Sequence, residues 1–335
     1  NNGAWLSLLL SGGLGFLLLS CMLFLYRRFP DMTYVEFSRQ LIGTTLTAIF
    51  SVFTMSLFLQ MEAGIVIDVS LFMVSSMLRE TPMYVFSFLV YAISAATARA
   101  GIEVMARMFT LILIMITFSI IAVLLVAIPD YHPSNLLPIM PKGIKPVFHG
   151  AFLSFGFPYA EVFLFSMLFP FVDKSSSSKL CKTMRITLGF NIFILCLSTV
   201  CAIMVFGAYA GERPYVLFSL ARVIEFQEII QRMESIIGMS LILGSYMKTT
   251  ITLYVFSLFL SQLCGFKDNR AVVMPLALLG FLTGLVAFDG AAEWGFIVSA
   301  VHPVWTYAAF IAPLLVLTVT ALVRKQEQPK GKGQT

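Results

Sequence analysis

Three charged residues stand inside apolar runs where a carbon-rich chain has least reason to keep them. They are Glu161 in "LSFGFPYAEVFLF" (residues 153–165), Lys248 in "SYMKTTIT" and Glu62 in "QMEAGIVIDVSLF". A charge at the centre of a bilayer costs ~2.5–3.5 kcal/mol even on the lenient insertion scale, so such residues mark pairing or ligand sites by default. The first stretch carries a second fault. Gly156 and Pro158 both work against a continuous helix, three residues before the acid. No P-loop, dinucleotide fingerprint, metalloprotease box or nucleophile elbow accompanies these residues. His132, His149 and His302 lie at the ends of apolar runs and have no metal-ligand spacing. The chemistry on offer is therefore binding, with no enzyme activity, cofactor or metal expected.

The elements that must position these residues follow from composition. The chain of 335 residues is 59% hydrophobic and only 12% charged, with a mean hydropathy of +0.92, whereas soluble domains carry about 25% charged residues. Apolar runs long enough to cross a bilayer as helix (~20 residues) recur from end to end. This predicts an all-α polytopic membrane protein. Nine spans are expected, at about 5–26, 41–73, 83–98, 104–128, 147–170, 183–209, 229–263, 271–288 and 301–323. Proline signals bound the third (Thr81-Pro82) and the ninth (His302-Pro303). The second and seventh exceed what a bilayer needs, which predicts tilt or extension beyond it. Residues 1–323 form one transmembrane domain, and 324–335 a basic tail expected to lie near anionic headgroups. "SSSS" at 175–178 reads as a flexible linker.

Charge orients the spans. One alternating set of loops and the tail holds Arg27, Arg28, Arg39, Arg99, Arg107, Lys174, Lys179, Lys182, Arg185, Lys267, Arg270, Arg324, Lys325, Lys330 and Lys332, fifteen of the 22 Lys and Arg. The C-terminus is therefore expected in the cytoplasm and the N-terminus outside. The net charge of +5 belongs to this topology, not to nucleic-acid binding. Cys21, Cys181, Cys196, Cys201 and Cys264 are odd in number and irregularly spaced, which suggests no disulfide framework. The opening "NNGAWLSLLL" has no positive n-region. Either a signal peptide has been cleaved or a first span is missing.

Several stretches together resemble the spore germination permeases, the B-subunits of endospore germinant receptors within the amino acid–polyamine–organocation superfamily. They are "RETP", "RAGIEVMARM", "NLLPIMPKGIKP", "FPYAEVFLFSMLFPF", "QRMESI", "YMKTTITLYVFSLFLSQLCGFKDNR" and "APLLVLTVTALVRK". Each is short, but their order and spacing run over essentially the whole chain. The resemblance implies a transporter-like fold of ten helices in two inverted repeats of five, the first and sixth broken at mid-membrane. Residue 5 falls where the second helix of that plan begins, so the first helix is expected to be absent. It also implies partners: a small-molecule germinant, and A-type (membrane) and C-type (lipoprotein) subunits in the spore inner membrane.

On that plan Phe155, Gly156, Phe157, Pro158 and Tyr159 form the break in the sixth helix, where unwound backbone lines a binding cavity. Pro158 suits the first turn of the resumed half-helix, and Glu161 lies in that turn, at the positive helix end. The plain alternatives are a proline kink without a ligand and a carboxylate capping its own helix. Lys248 lies about fifteen residues from either end of its span, too deep for snorkelling at ~1.5 Å per residue. Glu161 is its nearest partner by depth. Glu62 and Asp68 are six apart, on roughly opposed faces, so one at most meets a central cavity. Glu62 is nearer mid-span and is the expected one. Arg232 and Glu234 read as a solvated or locally paired helix end at the outer surface. Two functions compete: a receptor subunit sensing an amino acid or sugar, and an amino acid or amine permease driven by an ion gradient.

Overall fold

The computed structural model describes residues 2–173, 177–223, 233–287 and 290–324, and every regular element among them is helical. Arg232, residues 175–176 of the serine run and the tail beyond Arg324 lie outside the described residues. The chain runs through α1 (Ala4–Arg28), α2 (Tyr34–Phe72), α3 (Met83–Ala100), α4 (Ile102–Val126), α5 (Lys145–Ser154), α6 (Ser177–Phe206), α7 (Val216–Val223), α8 (Met233–Cys264) and α9 (Arg270–Val286). The last stretch is α10 (Ala291–Phe296), α11 (His302–Thr306) and α12 (Ala312–Val323), joined by two π-helical turns. Among the described residues, eight helical stretches are long and apolar enough to cross a membrane, and Arg270–Val286 is a shorter apolar helix of 17 residues.

The excess length of the second span has a local cause. Gly43 interrupts α2 with φ 82° and ψ 168°, a left-handed conformation that costs glycine nothing for want of a Cβ. The two turns before it form a separate segment, started by a capping box between Thr33 and Glu36. Thr47 Oγ1 bonds back to the Gly43 carbonyl at 2.8 Å and lies 3.1 Å from Ser38 Oγ. The bend is thereby satisfied internally, as a break inside an apolar bundle requires.

The ninth span departs from expectation. It begins at Ala291, ten residues before the boundary read from His302-Pro303. π-helical turns at Ile297–Val301 and Tyr307–Ile311 flank α11 and accommodate Pro303, so the proline shifts the helix register without ending it.

The two ends of the bundle are tied differently. At one end Arg28 donates to the Arg324 carbonyl (2.6 Å), and Arg39 donates to the Gln262 and Leu263 carbonyls that close α8 (3.2 and 2.9 Å). A guanidinium there meets both the unpaired carbonyls and the negative end of the helix dipole. At the other end Asn135 donates to the Met204 carbonyl (2.8 Å) and accepts from Asn2 through its own carbonyl (3.0 Å).

Between the ends lies an aromatic core. Tyr34, Phe58, Phe163, Phe259 and Phe310 are all under 2% exposed. Phe163 stacks on Phe310 (centroids 4.5 Å) and meets Tyr34 edge-on (4.8 Å), while Phe58 meets Phe259 at 5.5 Å. These rings join α2, α8 and the turn before α12 to the segment that carries Glu161. Eleven phenylalanines are buried among the described residues, and as many are exposed.

Candidate functional site

The helix that starts at Lys145 stops being α-helical at Ser154. Residues Phe155–Tyr159 form a wide turn in which Phe157 is extended (φ −142°, ψ 118°), and the chain resumes as a 3-10 helix over Ala160–Met167. Glu161 lies in the first turn of that segment. Pro158 precedes it, at a position where its missing N–H removes no helical bond. The break is real and local, and Phe163 two residues on anchors its far side in the aromatic core.

Lys248 projects from the middle of α8 onto this break. Its Nζ lies 2.9 Å from Glu161 Oε1 and 2.8 Å from Oε2, and 3.9 Å from the centroid of the Phe157 ring. The ammonium therefore has a carboxylate on one side and an aromatic face on another, two favourable contacts that both strengthen when water is excluded. The side chains are 26% and 9% exposed for Lys248 and Glu161. Beside Lys248 two α8 hydroxyls turn back on their own helix, Thr249 to the Ser245 carbonyl and Thr250 to that of Tyr246.

A cavity of about 200 Å³ opens beside the pair, lined by Gln60, Met61, Ile65, Asp68, Phe157, Glu161, Ser245, Lys248, Trp294, Val298 and His302. His302 Nδ1 lies 2.8 Å from Gln60 Oε1, and its Nε2 faces Glu161 Oε1 at 4.0 Å. Trp294 Nε1 donates to Asp68 Oδ1 at 3.1 Å. A second, apolar cavity of about 450 Å³ lies on the other side of the pair, bordered by Leu19, Phe109, Met184, Leu188 and Ile251 with Thr187 and Asn191 as its polar members. Glu161 and Lys248 line both. They stand as the partition between the two.

The expected site residues thus separate into groups. Phe157, Glu161 and Lys248 come together. Pro158 and Tyr159 line the apolar cavity instead. Phe155 is buried and packs near Tyr307 (5.5 Å). Gly156 is pressed against α11, where an added Cβ would meet Pro303 Cα at 2.7 Å. Glu62 is fully buried, beside Tyr91, and is not among the lining residues of either cavity. Asp68 lines the cavity in its place, because Gln60, Gly64 and Asp68 recur at a spacing of four on one helical face. Gly64 leaves room for the Trp294 ring to lie over α2. That stripe of polar and small residues was the readable signal. His302 was missed because Pro303 marked it as a span end, and Trp294 because it precedes that boundary.

The described residues thus form a polytopic helical bundle with one helix broken beside a small cavity that carries charged side chains. Comparison with known proteins gives the family: the model for spore germination permeases, described as "Spore germination protein", matches residues 1–287. The chain belongs to that family. It is 26% identical over 337 residues to spore germination protein KB of Bacillus subtilis (strain 168), covering 99% of this chain and 90% of that protein. It is 25% identical over 264 residues to spore germination protein YndE of the same organism, covering 77% of this chain and 71% of that one.

Proposed function

We propose that this chain is the B-subunit of a germinant receptor, and that it senses a small nutrient, an amino acid or a sugar, in the cavity at the helix break. The observation that carries this reading is the Glu161–Lys248 pair, held at the break beside a cavity of about 200 Å³. Intramembrane charges are rare and mark functional sites by default, and a cavity of that size suits a molecule of metabolite scale. Membership in the spore germination family supplies the physiological context. On this reading the ten-helix inverted-repeat plan holds, with nine spans in residues 1–323 and a basic tail after them. The ends tied by Arg28, Arg39 and Arg324 face the cytoplasm, and A-type and C-type subunits complete the receptor in the spore inner membrane.

The permease reading uses the same cavity, since a fold of this type does not by itself separate sensing from carriage. Two measurements decide. Spores whose only matching receptor carries Glu161→Gln should lose their response to its nutrient, and an unchanged response would sink the reading. Purified protein in liposomes should bind the nutrient without sustained uptake. Steady gradient-driven flux would favour the carrier.

A further inference from the structure

The polar groups around the central cavity are not balanced. Gln60 Oε1 can only accept a hydrogen bond, so the proton of the His302 imidazole sits on Nδ1. In the neutral ring His302 Nε2 then turns a lone pair toward the cavity, and it has no hydrogen-bond partner among the described residues although the side chain is only 6% exposed. Glu161 Oε1 lies 4.0 Å away from it, and the Asp68 carboxylate lines the same space. All three are acceptors. Lys248, the one cation among the described residues that line the cavity, already has both Glu161 oxygens and the Phe157 ring, so its donors are largely satisfied within the protein. A carboxylate, an aromatic face and a free imidazole lone pair form the recognition set for an ammonium group.

We propose that this set is an ammonium-binding site whose present occupant is the protein's own Lys248, and that a ligand bearing a primary ammonium binds by taking over Glu161 and the Phe157 ring from it. The proposal rests on the reading of the central cavity as the nutrient site and names the chemistry of that nutrient. His302 Nε2 gives the incoming ammonium a hydrogen bond that Lys248 does not make. The displaced lysine's flexible stem borders the second cavity, where Asn191 and Thr187 supply polar contacts without a counter-charge, so its release takes up part of the ligand's binding energy. Ligand arrival would then join the two sides of the partition, a change the protein can read as occupancy. A tethered occupant lowers apparent affinity by the fraction of time the site is filled from within.

The test uses the intact chain purified in detergent or nanodiscs, with ethylammonium as probe and ethanol and acetate as controls. Lys248→Ala removes the tethered ammonium and keeps the rest of the set. It should bind ethylammonium about tenfold tighter than the unmodified protein, or better. It should ignore ethanol and acetate, and adding Glu161→Gln should abolish the gain. Unchanged or weaker ethylammonium binding would overturn the proposal. So would acetate binding that is lost in Lys248→Ala, because Lys248 would then be the receiver of a ligand carboxylate. If Lys248→Ala is poorly stable, the readout becomes its thermal midpoint. Ethylammonium should raise it well above the effect of ethanol, and equal effects of the two count against the site. Binding to purified protein is independent of any spore response. A failed germination assay with intact ethylammonium binding would therefore overturn the nutrient reading and leave the site standing.

Discussion

Two buried acids sit in this bundle under opposite conditions. Glu161 lies at a helix break with Lys248 on both its oxygens, His302 nearby and a cavity on either side of the pair. Glu62 lies in the unbroken part of α2, is 0% exposed, and neither of its oxygens has a hydrogen-bond partner among the described residues. Both count equally in a hydropathy profile. Their surroundings divide them: one is held by a specific cation and is exposed to change through it, the other is sealed in packing with no hydrogen-bond partner among the described residues. The lesson concerns what marks a site in an apolar protein. An acid in a membrane helix is informative in proportion to the broken backbone and the opposite charge that accompany it.

That contrast is broken most forcefully at the pair. Removing one member of a buried ion pair strands the other, at about 3–5 kcal/mol, whereas removing both costs far less. Glu161→Gln and Lys248→Met should each sharply lower the amount of folded protein recovered from membranes, or its thermal midpoint. The double variant should recover much of the loss. Simple additivity of the two losses would show that the charges do not depend on each other.

The break itself can be tested at Gly156. Pro303 Cα stands 2.7 Å from where its Cβ would be, and backbone on α11 does not yield as a flexible side chain would. Overpacking of this kind costs typically ~1–3 kcal/mol. Gly156→Ala should therefore lower the thermal midpoint even though it adds one methyl group and leaves the cavity volume alone. A midpoint equal to that of the unmodified protein would mean that α11 is free to move at this contact. A smaller effect is expected at Gln60, whose side chain fixes the His302 tautomer at 2.8 Å. Hydrogen bonds between membrane helices average ~0.6 kcal/mol. Gln60→Leu should thus change stability little while weakening ligand binding, because His302 Nε2 no longer has to present a lone pair. Equal losses in stability and binding would make Gln60 a packing residue alone.

Much of this was legible in the sequence, for reasons that also explain the remainder. The apolar runs set the helices because bilayer thickness fixes their length. Gly156 and Pro158 announced the break through backbone chemistry, and Glu161 and Lys248 announced each other by depth. What was lost involved register and long-range packing. Pro303 reads as a boundary in one dimension, yet two π-helical turns carry the helix past it, and with the boundary went His302 and Trp294. Glu62 outranked Asp68 on depth alone, though the face that meets the cavity is set by how α2 packs under Trp294. A helix's sequence gives its stripes. Which stripe faces a cavity is decided by its neighbours.

The smallest expected effect is the sharpest test of the comparison. Glu62→Gln keeps the shape of the side chain and replaces one acceptor oxygen by an NH2 donor. Among the described residues no cation faces Glu62, so no partner is left stranded by the change, unlike at Glu161. Its neighbour Tyr91 has a buried hydroxyl with no partner among the described residues, and an amide offers that hydroxyl both a donor and an acceptor. The variant should therefore reach the same membrane abundance as the unmodified protein, shift the thermal midpoint by little in either direction, and keep ligand affinity within about twofold, well under the ~1.4 kcal/mol of a tenfold change. Side-by-side measurement with Glu161→Gln, on identical preparations, gives the answer. If Glu62→Gln loses binding as Glu161→Gln does, Glu62 reaches the ligand through a rearrangement of α2. The division between a sealed acid and a working one would then fail.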